Sequence, residues 1–277
     1  MDQRLKNGII ARLAQEHGYV RRPPGGRTRF ALVYPNTYFV GMSNLGLHII
    51  YDLLNRRGDT ACERVFLPDR TELPRYERTQ TPMMSVETQT PLSCFAVIGF
   101  AVSFEPDYFH VVKMLSLSRV QIRAAERGDR DPLVIAGGPC ATFNPEPLAA
   151  VVDAFIIGEG EETVGALMDA YHEGMCARED RAALLRRLAH VPGVYVPALY
   201  TPSFAPGGRM TALLPADGAP PRIRRQWVRD LRRIRSSSPT IRSSIFTSLK
   251  QPAAAGGIAA FAWRGIVSAA RAADRSL

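Results

Sequence analysis

The sequence predicts an α/β fold: a doubly wound, mostly parallel Rossmann-like sheet, then a Pro/Gly-rich β connector and a disordered C-terminal tail. Three observations lead there. Short, continuous apolar runs such as "FAVIGFAVS" and "PLVIAGGP" read as strands buried on both faces. Stretches with apolar residues at helical spacing separate them, and this alternation is that of a parallel sheet covered on both sides. After Leu188 the alternation stops, and Pro and Gly accumulate.

Taken in order, residues 1–28 form an N-terminal helix and basic arm. Leu5, Ile9, Ile10 and Leu13 share a helical face before the breaker "RRPPGGR". Residues 29–175 form the Rossmann-like domain. Its first strand is "RFALVYP", closed by Pro35. "NLGLHIIYDLLNRRG" is a helix by the spacing of Leu45, Leu47, Ile50, Leu53 and Leu54, and it stops at Gly58. "ACERVFLP" and "FAVIGFAVS" are the next strands, and "YFHVVKMLSLSRVQIRAAERG" reads as one helix. "PLVIAGGP" is a strand closed by a glycine pair, and "PLAAVVDAFIIGEG" is a short helix and a strand. "EETVGALMDAYHEG" is a helix whose first-turn carboxylates complement the positive end of its dipole. Residues 176–235 supply a helix and a small β-hairpin connector, with Val194–Val196 and Met210–Leu214 as its β-type runs. Residues 236–277 are the tail.

A content of 46% hydrophobic and 22% charged residues is that of an ordinary globular chain. No apolar run reaches the ~18 residues of a membrane span, and the N-terminus lacks a signal-peptide core, so a cytoplasmic location and no membrane partner are expected. The formal charge of +9 gathers at Arg21–Arg29, at Arg222–Arg235 and in the tail, while Leu32–Glu173 leans acidic. Nucleic acid is not the expected partner, because only Trp227 is interleaved with the arginines of "PRIRRQWVRDLRRIR". Cys62, Cys94, Cys140 and Cys176 are too dispersed for a zinc site and read as reduced thiols.

In a doubly wound sheet, ligands sit outside the carboxyl ends of the strands. Four such ends are legible. The first is "NTYFVG", with Asn36, Tyr38 and Gly41; the second is Ser103, before Phe104 and Glu105. Gly137 and Gly138 form the third, and Gly158, Glu159 and Gly160 the fourth. The pair Gly137–Gly138 removes Cβ atoms, so a bulky ligand can approach the backbone. Gly158 and Gly160 precede a helix N-terminus, where N–H groups point outward. Glycine turns also simply end strands, so the set indicates a ligand-binding edge and nothing finer. Glu159, Glu161 and Glu162 read as dipole complements, Glu105 and Asp107 as capping or solvated groups, and His48 as a surface or packed histidine. No catalytic residue and no metal ligand is assigned.

Three stretches carry a resemblance: "FALVYPNTYFVGMSNLGLHIIYDLLNRRGDTACERVFLP", "VIGFAVSFEPDYFHVVKML" and "PLVIAGGPCATFNPEPLAAVVDAFIIGEGEETV". With "GVYVP" and "VRDL" behind them, they resemble the cobalamin-binding N-terminal domain of radical S-adenosylmethionine (radical SAM) proteins, from about Phe30 to Asp230. The resemblance implies a cobalamin-type domain using the four strand ends named above. Members that ligate cobalt from below do so with Asp-x-His-x-x-Gly. Here that spacing reads Asn36-Thr37-Tyr38-Phe39-Val40-Gly41, with Tyr38 in the histidine's place. A phenol is a poor cobalt ligand, so any cobalamin is expected to lack a histidine ligand from this loop. The resemblance also implies that Ser103 lies near the nucleotide tail and that Gly137 and Gly138 let it pass.

For the family, the resemblance implies a [4Fe–4S] cluster on CxxxCxxC, S-adenosylmethionine, and a barrel in the same chain with which full-length members act. This sequence contains no CxxxCxxC, so cluster, S-adenosylmethionine and radical catalysis are not expected on it. The tail offers a reason. A permitted set of codons for "QPAAAGGIAAFAWRGIVSAAR", read two bases later, encodes TRGCGRYCRFCMAGYRFRRP, a CxxxCxxC at the expected distance behind "VRDL". The third bases are chosen, but Ala262-Trp263 confines one shifted codon to NTG and Gly265-Ile266 another to NAT. The expectation is a radical SAM N-terminal fragment, truncated or frameshifted between Ser236 and Lys250. The alternatives are a stand-alone module for cobalamin or a nucleotide-like ligand, and a basic RNA-interacting protein.

Overall fold

The computed structural model describes residues 2–216 and 218–228, with the backbone of Arg242 and Ser243. The expectations of a disordered tail and a frameshift lie outside the described residues. The chain opens with α1 (Gln3–Leu13), capped by the Asp2 carboxylate, and β1 (Glu16–His17), which pairs with β10 (Arg242–Ser243). Then β2 (Thr28–Tyr34) leads through two helices, α2 (Tyr38–Met42) and α3 (Leu45–Arg56), to β3 (Thr60–Phe66). Next come α4 (Leu73–Thr79), β4 (Val97–Ala101), α5 (Asp107–Leu117) and β5 (Leu133–Gly137). The alternation closes with α6 (Pro139–Phe143), β6 (Ala154–Ile156), α7 (Gly160–Cys176), α8 (Arg181–Ala189) and β7 (Val194–Tyr195). A separate hairpin, β8 (Tyr200–Phe204) and β9 (Met210–Pro215), follows.

The main sheet has the order β3-β2-β4-β5-β6-β7; the first five strands are parallel and β7 is antiparallel. Counted along the chain, the parallel strands run 2-1-3-4-5, so the winding reverses between β2 and β4. Both faces are covered because alternate residues of each strand point opposite ways. Phe30, Leu32 and Tyr34 join one core with Leu47 and Leu54 of α3, Leu167 and Met168 of α7, and Leu184 and Leu188 of α8. Ala31 and Val33 join the other, with Val111 and Met114 of α5.

Two expectations are corrected. The stretch read as one helix from Tyr108 to Gly128 stops at Leu117. Arg119 takes φ +56°, and the Val120 amide turns back to the Leu115 carbonyl at 3.0 Å, which buries Val120 and ends the helix. The run at Val194 is no part of the hairpin. Val194 pairs with Ile156, so it extends the main sheet by an antiparallel edge strand, and the hairpin is made by β8 and β9 alone.

The core also holds charge. Arg64 of β3 has a fully buried side chain. Its Nε donates to Glu87 Oε1 at 2.7 Å and its Nη2 to Glu16 Oε2 at 2.6 Å, while its amide donates to Glu87 Oε2 at 2.7 Å. Burial alone would depress the guanidinium, but Glu87 and Glu16 overcome that and hold it charged. A second centre lies below β5. Asp153 Oδ2 accepts from Arg127, Arg181 and the Val134 amide at 3.0, 2.8 and 2.7 Å.

Candidate functional site

The winding reversal places the end of β2 beside the end of β4, and two side-chain bridges cross this switch point. Asn44 caps α3 by accepting from the Leu47 amide, and its Nδ2 reaches Ser103 Oγ at 3.2 Å. Asn36 accepts from the Thr37 amide through Oδ1, which orients its amide so that Nδ2 donates to Asp107 Oδ1 at 3.0 Å. Of the expected residues, the structure therefore brings Asn36 and Ser103 to one place.

Tyr38 faces the other way. Its ring is buried against Phe66, and its hydroxyl donates to Glu16 Oε1 at 2.7 Å, in the Arg64 cluster. Gly41 is packed just as tightly, since a Cβ there would collide with the Phe66 ring and lie 3.2 Å from Tyr34 Cβ. Gly138 takes φ +101°, and a Cβ on it would lie 2.7 Å from the Val102 carbonyl oxygen. Gly158, at φ +109°, sits against the backbone of Gln226. Only Gly137 has its Cβ position in ordinary contact, 3.7 Å from Ile156.

The chain itself covers the end of β6. The Gln226 amide donates to the Ile157 carbonyl at 3.0 Å, and its carbonyl accepts from the Glu159 amide at 2.9 Å. Glu159 also accepts from the Val228 amide, and Gly160 opens α7 beside Ile50. Arg225 stacks over the rings of Phe143 and Trp227 at 5.7 and 5.1 Å. The β5–β6 half of the edge is thus closed by the protein's own backbone, while at the β2–β4 half Asn36, Ser103 and His110 are half-buried.

That half holds a pair that reading the sequence missed. Asp107, read as a capping or solvated group, is buried, and its Oδ1 takes both Asn36 and His110 Nδ1, the latter at 3.1 Å. Its Oδ2 is buried without a hydrogen-bond partner among the described residues. Burial raises this carboxyl above its ordinary range, against the lowering pull of His110 and Asn36. His110 Nδ1 also lies 2.9 Å from the Pro35 carbonyl. Both neighbours are acceptors, so in the neutral imidazole Nδ1 carries the proton and Nε2 the lone pair. The legible signal was the Asp-x-x-His spacing directly behind a strong strand, which sets both groups on one face of the first helical turn. Phe104 and Phe109, 54% and 81% exposed, flank the pair.

His48 is turned inward: Nε2 meets the Met42 carbonyl at 2.9 Å, and Nδ1 is buried without a hydrogen-bond partner among the described residues. Among the described residues, no group of three or more His, Cys, Asp or Glu side chains could hold a metal ion. No helix among them is long and apolar enough to cross a membrane.

A parallel sheet wound 2-1-3-4-5, with polar groups gathered at its switch point, defines a doubly wound α/β domain. More narrowly, the chain belongs to the radical SAM proteins, N-terminal, the family whose model matches residues 46–197. It is 28% identical over 131 residues to an uncharacterized protein of Methanocaldococcus jannaschii, a match that covers 47% of this chain and 24% of that protein. The chain thus spans about a quarter of that relative. No solved structure matches it.

Proposed function

We propose that this chain is the N-terminal, cobalamin-type domain of a radical SAM enzyme, and that its cluster-binding core is lost to a frameshift in the coding sequence for residues 236–250. The observation that carries the first part is the switch point itself. There the β2–β4 edge combines an oriented histidine, an incompletely satisfied buried carboxylate and exposed aromatic rings. Tests of fit divide the edge. Gly138 and Gly158 are filled by backbone, so of the expected strand ends those of β2 and β4, with Asn36, Ser103 and His110, would be the ones to hold a corrin. When bound, cobalamin supplies a metal centre able to carry an alkyl group. The chain's own residues bind it, orient it and keep water from one face.

Incubation with hydroxocobalamin followed by desalting tests the reading: retained corrin absorbance, close to one equivalent, is expected, and its absence would overturn it. For the second part, the absence of CxxxCxxC and the codon pattern of the tail are the support. The coding DNA should contain the cysteine motif in a shifted frame. Protein expressed from the frame-restored gene should take up iron and give a [4Fe–4S] signal on reconstitution. DNA without the shifted motif ends that part of the proposal.

A further inference from the structure

Along the chain, the arginine run that opens at Arg222 has one aromatic residue among its members, Trp227. The fold brings it another. Phe143, the last residue of α6, meets the same run, because the Arg225 guanidinium lies over both rings, 5.7 Å from the Phe143 centroid and 5.1 Å from that of Trp227. Both rings stay open to solvent, Phe143 at 71% and Trp227 at 50% exposure. We infer that Arg222, Arg224, Arg225, Phe143 and Trp227 form a docking surface for single-stranded RNA on the outside of the β5–β6 end. The strand ends of β2 and β4 take no part in it, so this surface stands whether or not the chain holds cobalamin.

The chemistry of the surface fits that partner. Unpaired bases, as RNA loops and ends present them, stack on aromatic rings and guanidinium planes, while neighbouring arginines meet the phosphates. Arg222 and Arg224 are exposed and have no carboxylate partner among the described residues. Arg225 Nε is buried without a hydrogen-bond partner among them. Two carboxylates near this segment are already engaged, Glu159 by the Val228 amide and Glu146 by the Tyr195 hydroxyl at 2.7 Å. The sequence adds Arg229, Arg232, Arg233 and Arg235 behind Trp227, against the single acid Asp230. The surface is also set in place by backbone. Gln226 is bridged to Gly158, and its Cγ fills the space that a Cβ on Gly193 would need. Arg225 and Trp227, on either side of Gln226 in a strand-like segment, therefore face the other way, outward. Rings and guanidinium held so lose little freedom when a strand settles on them.

Fluorescence anisotropy of a 5′-fluorescein oligouridylate of about 12 nucleotides, titrated with the full chain at several salt concentrations, tests the surface. Binding should weaken as salt rises. Trp227→Ala and Phe143→Ala should each weaken it roughly 5- to 150-fold, the worth of one stacked base, and leave the salt slope unchanged. Arg222→Gln and Arg224→Gln should each reduce the slope by about 0.7. Trp227→Phe keeps a ring and should restore most of the affinity. The sequence has two tryptophans, so in Trp263→Phe the emission comes from Trp227 alone and should be quenched as the oligonucleotide binds. That readout removes neither ring of the surface and so does not depend on how the alanine variants fold. No binding at low salt would overturn the inference. Binding indifferent to both ring variants, with Trp227 emission unchanged, would assign it to charge alone and overturn it equally. An RNA duplex of the same length bound as tightly, or the oligodeoxyuridylate bound more tightly than the RNA, would overturn single-stranded RNA as the partner.

Discussion

Replacing Arg64 by alanine removes the one cation from a buried cluster and leaves Glu16 and Glu87 in place. Three charge-assisted contacts define what is lost or weakened: Nε to Glu87, Nη2 to Glu16, and the cation over the Tyr51 ring at 5.1 Å. What remains is two carboxylates in the core, with the Tyr38 hydroxyl on one and the Arg64 amide on the other. Breaking a buried pair by removing one partner costs about 3–5 kcal/mol, because the surviving charge is unpaired. At about 2–4 °C per kcal/mol for a domain of this size, the melting point should fall by roughly 6–20 °C. Urea unfolding followed by circular dichroism measures the loss.

A second signature separates this cause from a simple cavity. In Arg64→Ala the orphaned carboxylates titrate above their unfolded values. Unfolding then releases their protons, and the variant regains stability as pH falls from 7 towards 5. The triple variant Arg64→Met, Glu16→Gln, Glu87→Gln should recover most of the stability at pH 7, since replacing all partners of a buried ion cluster by neutral groups is often close to neutral. A loss below about 1 kcal/mol for Arg64→Ala, or no pH dependence of that loss, would refute the reasoning.

Other outcomes follow from the same contacts. Gly158→Ala meets both a positive φ and the Gln226 backbone, so it should cost about 1–3 kcal/mol and detach the segment around Gln226; faster tryptic cleavage at Arg224 and Arg225 would show it. Gly41→Ala should destabilise by about 1–3 kcal/mol through the Phe66 ring, equally with and without cobalamin; a loss of cobalamin affinity without a loss of stability would assign Gly41 to the ligand instead. Burial holds His48 below its ordinary 6.5, so the unfolded chain binds the extra proton first. Stability from this group is therefore complete above 6.5 and declines as pH falls from there towards the lowered value; His48→Gln should flatten the pH–stability profile in that window.

Much of the sheet was legible because four of its six strands are built on continuous apolar runs, and a strand buried on both faces permits little else. Val194–Tyr195 was not, since three apolar residues between Gly193 and Pro197 look the same in a hairpin and at a sheet edge. The chemistry was harder to read. Arg64 sits in "ACERVF" as if it were a solvated interruption, yet its partners lie 48 residues before it and 23 after it. Asp107 and Tyr38 misled for the same reason: a polar side chain is buried or exposed according to partners from other elements, and local spacing does not carry that information. The glycine turns show the reverse case. Gly138 and Gly158 do mark the carboxyl edge, but the space their missing Cβ atoms create is taken by the protein's own backbone.

The return of the chain to the end of β6 has a consequence beyond closing that half of the edge. Ile157 and Glu159 clamp Gln226 from both sides, and Glu159 takes the next amide but one, at Val228. The segment up to Val228 is therefore anchored at the carboxyl edge of the sheet. A short tether from such a point holds its cargo at an effective concentration in the mM range, with no further contact needed. The Gly158–Gln226 bridge thereby makes the carboxyl edge of the sheet an anchor for the segment that returns to it.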